Sequence, residues 1–245
     1  MGIKYDGEVS LLQHISYKMN IILNLEGTAF KTGYKVLEQK GTVIVGMSPG
    51  NGYFKKDTIY QLLRSVSHLF KNIKIFIPDI PAQYTYNALG KSITKAVAIS
   101  RKNSNLLRNH SMQAIDEIMR NGSIVNITIS DWHNEIECAP AYHKHKKYIY
   151  DLYRKNERFY SDARQATQMV IASQAKDGID MKKAVDIAVN YLLEELIFLL
   201  ASPEIYGVEK TTAVYHRRWP IFENLISGQY DMPISNVGFM LLVKQ

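Results

Sequence analysis

A single cysteine, Cys138, in 245 residues excludes an intrachain disulfide and fits a reducing compartment. Membrane-crossing runs are equally absent. The longest apolar stretch, Ile187 to Ala201, is interrupted by Asn190, Glu194 and Glu195 and is shorter than the roughly 20 residues that a bilayer core requires. The start, Met1 to Ser10, is polar and charged and lacks the apolar segment of a secretory signal. These absences predict a cytoplasmic protein with no membrane partner. Internal repeats and low-complexity linkers are also missing. The chain is therefore expected to form one domain over 1–245, with a core over 41–245 and an N-terminal extension over 1–40. What is present is a 46% hydrophobic composition, enough to bury a core without disulfides or metals. The formal charge of +7 favours a polyanionic partner such as nucleic acid, an argument about partners and not about fold.

Alternating strands and helices organise the chain. Thr42 to Met47 is a β-branched apolar run of the kind buried in parallel sheets. A loop, Ser48 to Phe54, follows it. Asp57 to Phe70 then places Ile59, Leu62, Leu63, Val66, Leu69 and Phe70 at helical spacing, and Ile73 to Ile77 is a second apolar strand ended by Pro78. Strand, helix, strand is a βαβ unit with a right-handed crossover. Further strands are expected at Ile124–Ile129, Thr211–Tyr215 and Val237–Val243. The pattern predicts an α/β fold, a Rossmann-like parallel sheet flanked by helices. Ligands of such sheets bind beyond the carboxyl ends of the strands, so the loop after the first strand is where chemistry is expected.

That loop reads Gly46-Met47-Ser48-Pro49-Gly50-Asn51-Gly52. A dinucleotide loop is disfavoured because G-x-G-x-x-G is absent, as is the P-loop's G-x-x-x-x-G-K-[ST]. Gly46 to Gly50 matches the G-x-S-x-G of a serine esterase of α/β-hydrolase type. That fold needs a backbone N–H on the residue after the nucleophile, and Pro49 has none. A third reading is a serine nucleophile of another kind, flanked by glycines that let a substrate approach for acyl transfer. A serine that merely caps the turn is the bland alternative.

Two other segments bear on the choice. Asp180 to Leu200 reads as a helix with Asp180 as N-cap. Asp186, Asn190 and Glu194 share one stripe, expected to be solvated. Tyr191 and Glu195 lie about 100° away, with Glu195 beside the apolar Ala188, Phe198 and Leu199. A carboxylate amid apolar neighbours needs a partner: an internal lysine or arginine, or the ammonium of a bound ligand. Tyr215-His216 ends the strand Thr211 to Tyr215, again at a carboxyl end. The tyrosine can relay protons or serve as an amphipathic core residue. His216 can act as a base or hold a loop by hydrogen bonds.

Val43-Ile44-Val45-Gly46-Met47-Ser48-Pro49-Gly50-Asn51, the Tyr191-x-x-x-Glu195 helix and Tyr215-His216 together resemble the cyclodipeptide synthases, from about Gly41 to the end of the chain. Asn51 and His216 resemble the subfamily that carries Asn and His at these positions. The resemblance implies a fold similar to the catalytic domain of class I tyrosyl- and tryptophanyl-tRNA synthetases, without their H-I-G-H and K-M-S-K-S motifs. It implies that two already activated aminoacyl-tRNAs are consumed per product, with no ATP, metal or other cofactor. Ser48 would accept the first aminoacyl group, and Tyr191 and Glu195 would hold its amine. The amine of a second aminoacyl-tRNA would attack the acyl-enzyme on the way to a dipeptidyl-enzyme. Tyr215 would relay a proton as cyclisation releases a 2,5-diketopiperazine. Asn51, Tyr142 and His216 match positions that line or support the site. Ile44, Gly46, Phe198 and Ala213 would line the first pocket, where their apolar character leans towards a hydrophobic amino acid.

Positive charge is concentrated in Gly90 to Asn109, where Lys91, Lys95, Arg101, Lys102 and Arg108 occur with no acidic residue. The segment reads as a helix packing Ile93, Val97, Ile99 and Leu106 inward. A basic face free of carboxylates suits a phosphate backbone, and the resemblance implies that the phosphate belongs to tRNA; the alternative is a solvated face. A second basic run, His143-Lys144-His145-Lys146-Lys147, lacks the further ligands that would make a metal site and is expected to be a solvated or tRNA-facing helix. The rival from another class is an RNA-binding protein without catalysis, which needs the basic face but not Ser48, Glu195 or Tyr215.

Overall fold

The computed structural model describes residues 21–24, 35–36 and 38–244. The polar start, Met1 to Ser10, and most of the 1–40 extension lie outside the described residues. Six strands form one sheet in the order β1-β6-β5-β2-β3-β4: β1 (Ile21–Asn24), β2 (Thr42–Gly46), β3 (Asn72–Phe76), β4 (Asn126–Ile129), β5 (Thr211–Tyr215) and β6 (Val237–Lys244). Neighbours from β6 to β4 are parallel, and β1 adds an antiparallel edge to β6. Each parallel pair requires a crossover, which fixes the helices on the sheet faces.

The helices are α1 (Lys56–Leu69), α2 (Asp79–Ala88), α3 (Ile93–Arg120), α4 (Pro140–Lys155), α5 (Glu157–Ala172), α6 (Met181–Tyr206) and α7 (Pro220–Ile226), with a π-helical turn at Trp132–Glu137. Because strand side chains alternate, β2 feeds two cores. Val43 and Val45 pack with Ile59, Leu62, Leu63 and Val66 of α1 and with Leu107 and Ile118 of α3. Ile44 packs on the opposite face with Leu192, Leu196, Ile197 and Phe198 of α6 and with Phe222 of α7. The expected strands and the α1 helix appear within about two residues of their predicted bounds. The largest shift is in the third apolar run, where Ile124 is fully exposed and β4 begins two residues later, at Asn126.

Two expectations about helix faces are corrected. Ile93 is 73% and Leu106 53% exposed, so the inward face of α3 is not the one predicted. It consists of Ala96, Ser100, Ser104, Leu107, Ser111, Ala114 and Ile118. Small residues let α3 approach its neighbours closely, a signal that a search for large apolar residues does not register. Glu194 is only 4% exposed, although its stripe was expected to face water. The reason is that α4 packs on α6 at this point. The Tyr142 hydroxyl donates to Glu194, the Tyr150 hydroxyl donates to it at 3.4 Å, and Lys146 Nζ lies 3.0 Å away. Burial, with the Glu137 charge, pushes the Glu194 carboxyl up to about 7; the short contacts to Lys146 and Tyr142 work in the opposite direction.

Among the described residues, no helix is long and apolar enough to cross a membrane.

Candidate active site

β2 carries the chain to Ser48 at the carboxyl edge of the sheet. There Asn51 N–H donates to the Ser48 carbonyl at 3.1 Å, and Gly50 has φ 82°. Proline at the second position and a left-handed third position make this a type II turn. Any side chain at Gly50 would also strike the Tyr86 hydroxyl, so glycine is required there twice over. The next helix starts only at Lys56, so the serine does not sit on the strand-to-helix elbow of an α/β-hydrolase. Tyr86 of α2 donates to the Pro49 carbonyl at 3.2 Å and accepts from Asn103 Nδ2 of α3 at 2.7 Å. Sequence reasoning missed this clamp because it missed α2, although Pro81 in the first turn after Asp79 is a helix-start signal.

The loop is held from its other side by the end of β5. Parallel pairing of β5 with β2 brings Tyr215 to Ser48, with Oγ and OH 3.0 Å apart. Asn51 Nδ2 donates to the Tyr215 oxygen at 3.4 Å and meets His216 Nε2 at 3.1 Å. In the Ser48–Tyr215 contact either hydroxyl can donate, so a proton can pass between the two oxygens. His216 Nε2 accepts from Asn51, so its lone pair is engaged. Stacking against Tyr53 (4.0 Å) and Tyr215 (4.4 Å) further fixes the ring. Burial, then the neighbouring Arg217 charge, pulls His216 down to about 4. Of the two roles open to it, the geometry matches loop positioning.

The third contribution comes from α6, whose N-cap Asp180 accepts from Lys183 N–H as expected. Tyr191 donates to Glu195 Oε1 at 2.8 Å. Both residues keep part of their surface accessible, yet protein surrounds them closely. Burial pushes Glu195 up to about 8, against the opposing pull of the Tyr191 hydrogen bond. Burial, then the Glu195 charge, holds the Tyr191 phenol well above its ordinary value, while a hydrogen bond with Ser48 acts in the other direction. Burial likewise raises Tyr215, opposed by its bond to Ser48. Both phenols stay protonated at neutral pH. Asn51, Tyr215, Ser48, Tyr191 and Glu195 thus form one hydrogen-bonded series. Among the described residues no lysine or arginine pairs with Glu195, so the internal ion pair considered for it is not found.

The remaining candidates separate into those that join this cluster and those that do not. Gly46 sits below it, 3.6 Å from the Tyr215 ring by its missing Cβ. Ile44, Ala213 and Phe198 lie in the core beneath, with Phe198 stacked on Phe76 at 4.1 Å. Tyr142 is buried but turns its hydroxyl to Glu194 and not to Ser48. Lys95, Arg101 and Lys102 are exposed on α3, and Lys91 is half-buried just before it. Arg108 differs: it pairs with Asp79 at 2.6 Å, tying α3 to α2. In the second basic run, Lys144 and His145 meet Glu204, and Lys146 meets Glu194. Only His143 and Lys147 of that run stand exposed without such a contact among the described residues.

The model of the family described as cyclodipeptide synthase matches residues 28–244. The cyclo(L-leucyl-L-leucyl) synthase of Bacillus subtilis (strain 168) is 25% identical over 215 residues, covering 85% of this chain and 84% of that protein. The solved CDPS structure from Staphylococcus haemolyticus shares the fold with a TM-score of 0.78 at 22% identity, over 93% of this chain and 100% of that one. A cyclodipeptide synthase from Candidatus Glomeribacter gigasporarum, solved bound to Phe-tRNAPhe, has a TM-score of 0.59 at 16% identity, over 82% and 86% of the two chains. With the family model spanning nearly all of its length, this chain belongs to the cyclodipeptide synthase family.

Proposed function

We propose that this enzyme joins two aminoacyl groups delivered by tRNA into a 2,5-diketopiperazine through an acyl-enzyme on Ser48. The observation that carries this reading is the Ser48–Tyr215 contact beside a closely surrounded Tyr191–Glu195 pair that no cation meets among the described residues. Ser48 Oγ attacks the ester carbonyl of the first aminoacyl-tRNA, and the terminal ribose hydroxyl leaves with a proton. The α-ammonium of the bound residue supplies the charge that Glu195 lacks, with Tyr191 completing its binding. The amine of a second aminoacyl-tRNA attacks the Ser48 ester, which frees the serine and leaves dipeptidyl-tRNA. Ser48 takes up that dipeptide by the same ester exchange. The free amino end then attacks the new serine ester and closes the ring. Tyr215, in contact with Ser48 Oγ, returns a proton to the departing oxygen. The covalent intermediate divides the work of two substrates into steps and gives ping-pong kinetics.

The Asn51–His216 contact supports the Asn/His subfamily, since each residue fixes the other. Leucine-using relatives and the apolar Ile44, Gly46, Phe198 and Ala213 support a hydrophobic first residue such as leucine. Lys91, Lys95, Arg101 and Lys102 are the proposed tRNA contacts; Arg108 is a structural tie, and Tyr142 acts through Glu194. Mass spectrometry of medium from a bacterial host expressing the protein tests the reading. Cyclic dipeptides are expected with the parent and not with Ser48→Ala. Their absence from both cultures, with soluble protein, would sink it.

A further inference from the structure

The loop that bears Ser48 is held between two flanks. On one side stand α2 and the basic helix α3, through Tyr86 and Asn103. On the other stands the end of β5, through Tyr215 and His216. Beyond His216 the chain continues Arg217-Arg218, both exposed, and the two arginines differ. Arg218 is spent on Glu223, with Nε 3.2 Å from the carboxylate, and that carboxylate is itself buried. Arg217 has no hydrogen-bond or ion-pair partner among the described residues. His216, fixed by Asn51 and by its stacking, holds the backbone from which Arg217 projects. The Arg217 charge also acts on the end of β5, adding to the burial that pulls His216 down and partly opposing the burial that raises Tyr215.

An exposed guanidinium without a carboxylate partner, two residues along the chain from the tyrosine that contacts Ser48, fits an anion carried by the substrate. The chemistry of the substrate says which one. An amino acid esterified to a terminal ribose has its nearest negative charge on the phosphodiester that joins the last two nucleotides, a few bonds from the reacting carbonyl. We propose that Arg217 binds this terminal phosphodiester, opposite the flank where α3 would meet the body of the tRNA. The proposal rests on the reading of the enzyme as an aminoacyl-tRNA-dependent synthase. Arg217 is then a substrate-positioning residue: it sets the ester over Ser48 Oγ while α3 supplies bulk affinity. Arginine suits the task because its planar fork can grip two phosphate oxygens.

The test is a double substitution on the two sides of the contact, read as the rate at which Ser48 is acylated. The protein carries Arg217→Ala, and the aminoacyl-tRNA carries a neutral methylphosphonate between its last two nucleotides. Each change alone is expected to lower kcat/KM about tenfold, through KM, and the two together no further. The salt dependence of binding should flatten by roughly 0.7 in log–log slope for the lost phosphate contact. Arg217→Lys should recover part of the loss. Additive losses, or an Arg217→Ala enzyme as fast as the parent, would overturn the proposal. If the parent itself forms no acyl-enzyme with natural aminoacyl-tRNA, the synthase reading fails instead, which separates the two failures.

Discussion

At the residue scale, the site is governed by a carboxyl that its surroundings discourage from ionising. In the unfolded chain Glu195 titrates near its ordinary value of 4.5; in the fold burial holds it at about 8. Between those values the folded state binds the extra proton. Stability is therefore fully present below about pH 4.5 and is lost as pH rises towards 8. Glu195→Gln cannot ionise and escapes that loss. It should melt higher than the parent by an amount worth on the order of 2–4 kcal/mol at pH 8 and about 1 kcal/mol or less at pH 5, while making no product. Thermal melts at the two pH values check this; a variant that melts lower at pH 8, or that still makes product, contradicts the assigned role. A residue whose removal stabilises the fold and abolishes product is one kept for function. The need for a partner at Glu195 was legible in the sequence from its apolar neighbours. The identity of that partner was not, because whether a distant cation meets Glu195 is a tertiary matter; among the described residues the partner is the Tyr191 hydroxyl and no lysine or arginine.

At the element scale, the basic helix does two jobs that the sequence merges. Lys95 and Arg101 are exposed on α3 with no ion-pair partner among the described residues, whereas Arg108 is bound to Asp79. Charge reversal at Lys95 and Arg101 should weaken tRNA binding several-fold at low salt with no change in melting temperature. Arg108→Ala should do the reverse: about 1 kcal/mol less stable, since the pair is about three-quarters shielded, and unchanged in tRNA affinity. Filter binding and thermal melts on the same preparations decide the matter, and equal affinity losses in all variants would contradict the division. Five basic residues without an acidic one were visible in the segment. Which of them were spent on Asp79 was not, because that aspartate lies on a helix the periodicity did not reveal. Glu194 was misread for a related reason. Its stripe with Asp186 and Asn190 looks solvated when α6 is viewed alone, and becomes interior once α4 covers it.

At the scale of the whole molecule, the parallel core was the most legible part. Buried parallel strands are short apolar runs, β-branched in β2 and β5 and more mixed in β3 and β6, and all four announce themselves in that way. Their shared direction puts Ser48 and Tyr215 at one edge although they lie far apart in sequence, which is why a loop serine could be linked to a distant tyrosine without coordinates. Less legible were the polar helices α4 and α5, whose buried stripes are short, and the antiparallel β1, which pairs with β6. The clamp of Tyr86 and Asn103 on the Ser48 loop is a tertiary contact with no local signature.

The central claim is that Ser48 becomes acylated by an amino acid taken from tRNA. Its most direct test is the intact mass of the protein after brief mixing with one leucyl-tRNA and acid quench, followed by peptide mapping. The account predicts an added leucyl residue on the peptide containing Ser48, sensitive to mild base and absent from Ser48→Ala. An unmodified protein that nevertheless releases cyclic dipeptide, or the same adduct on Ser48→Ala, would contradict it.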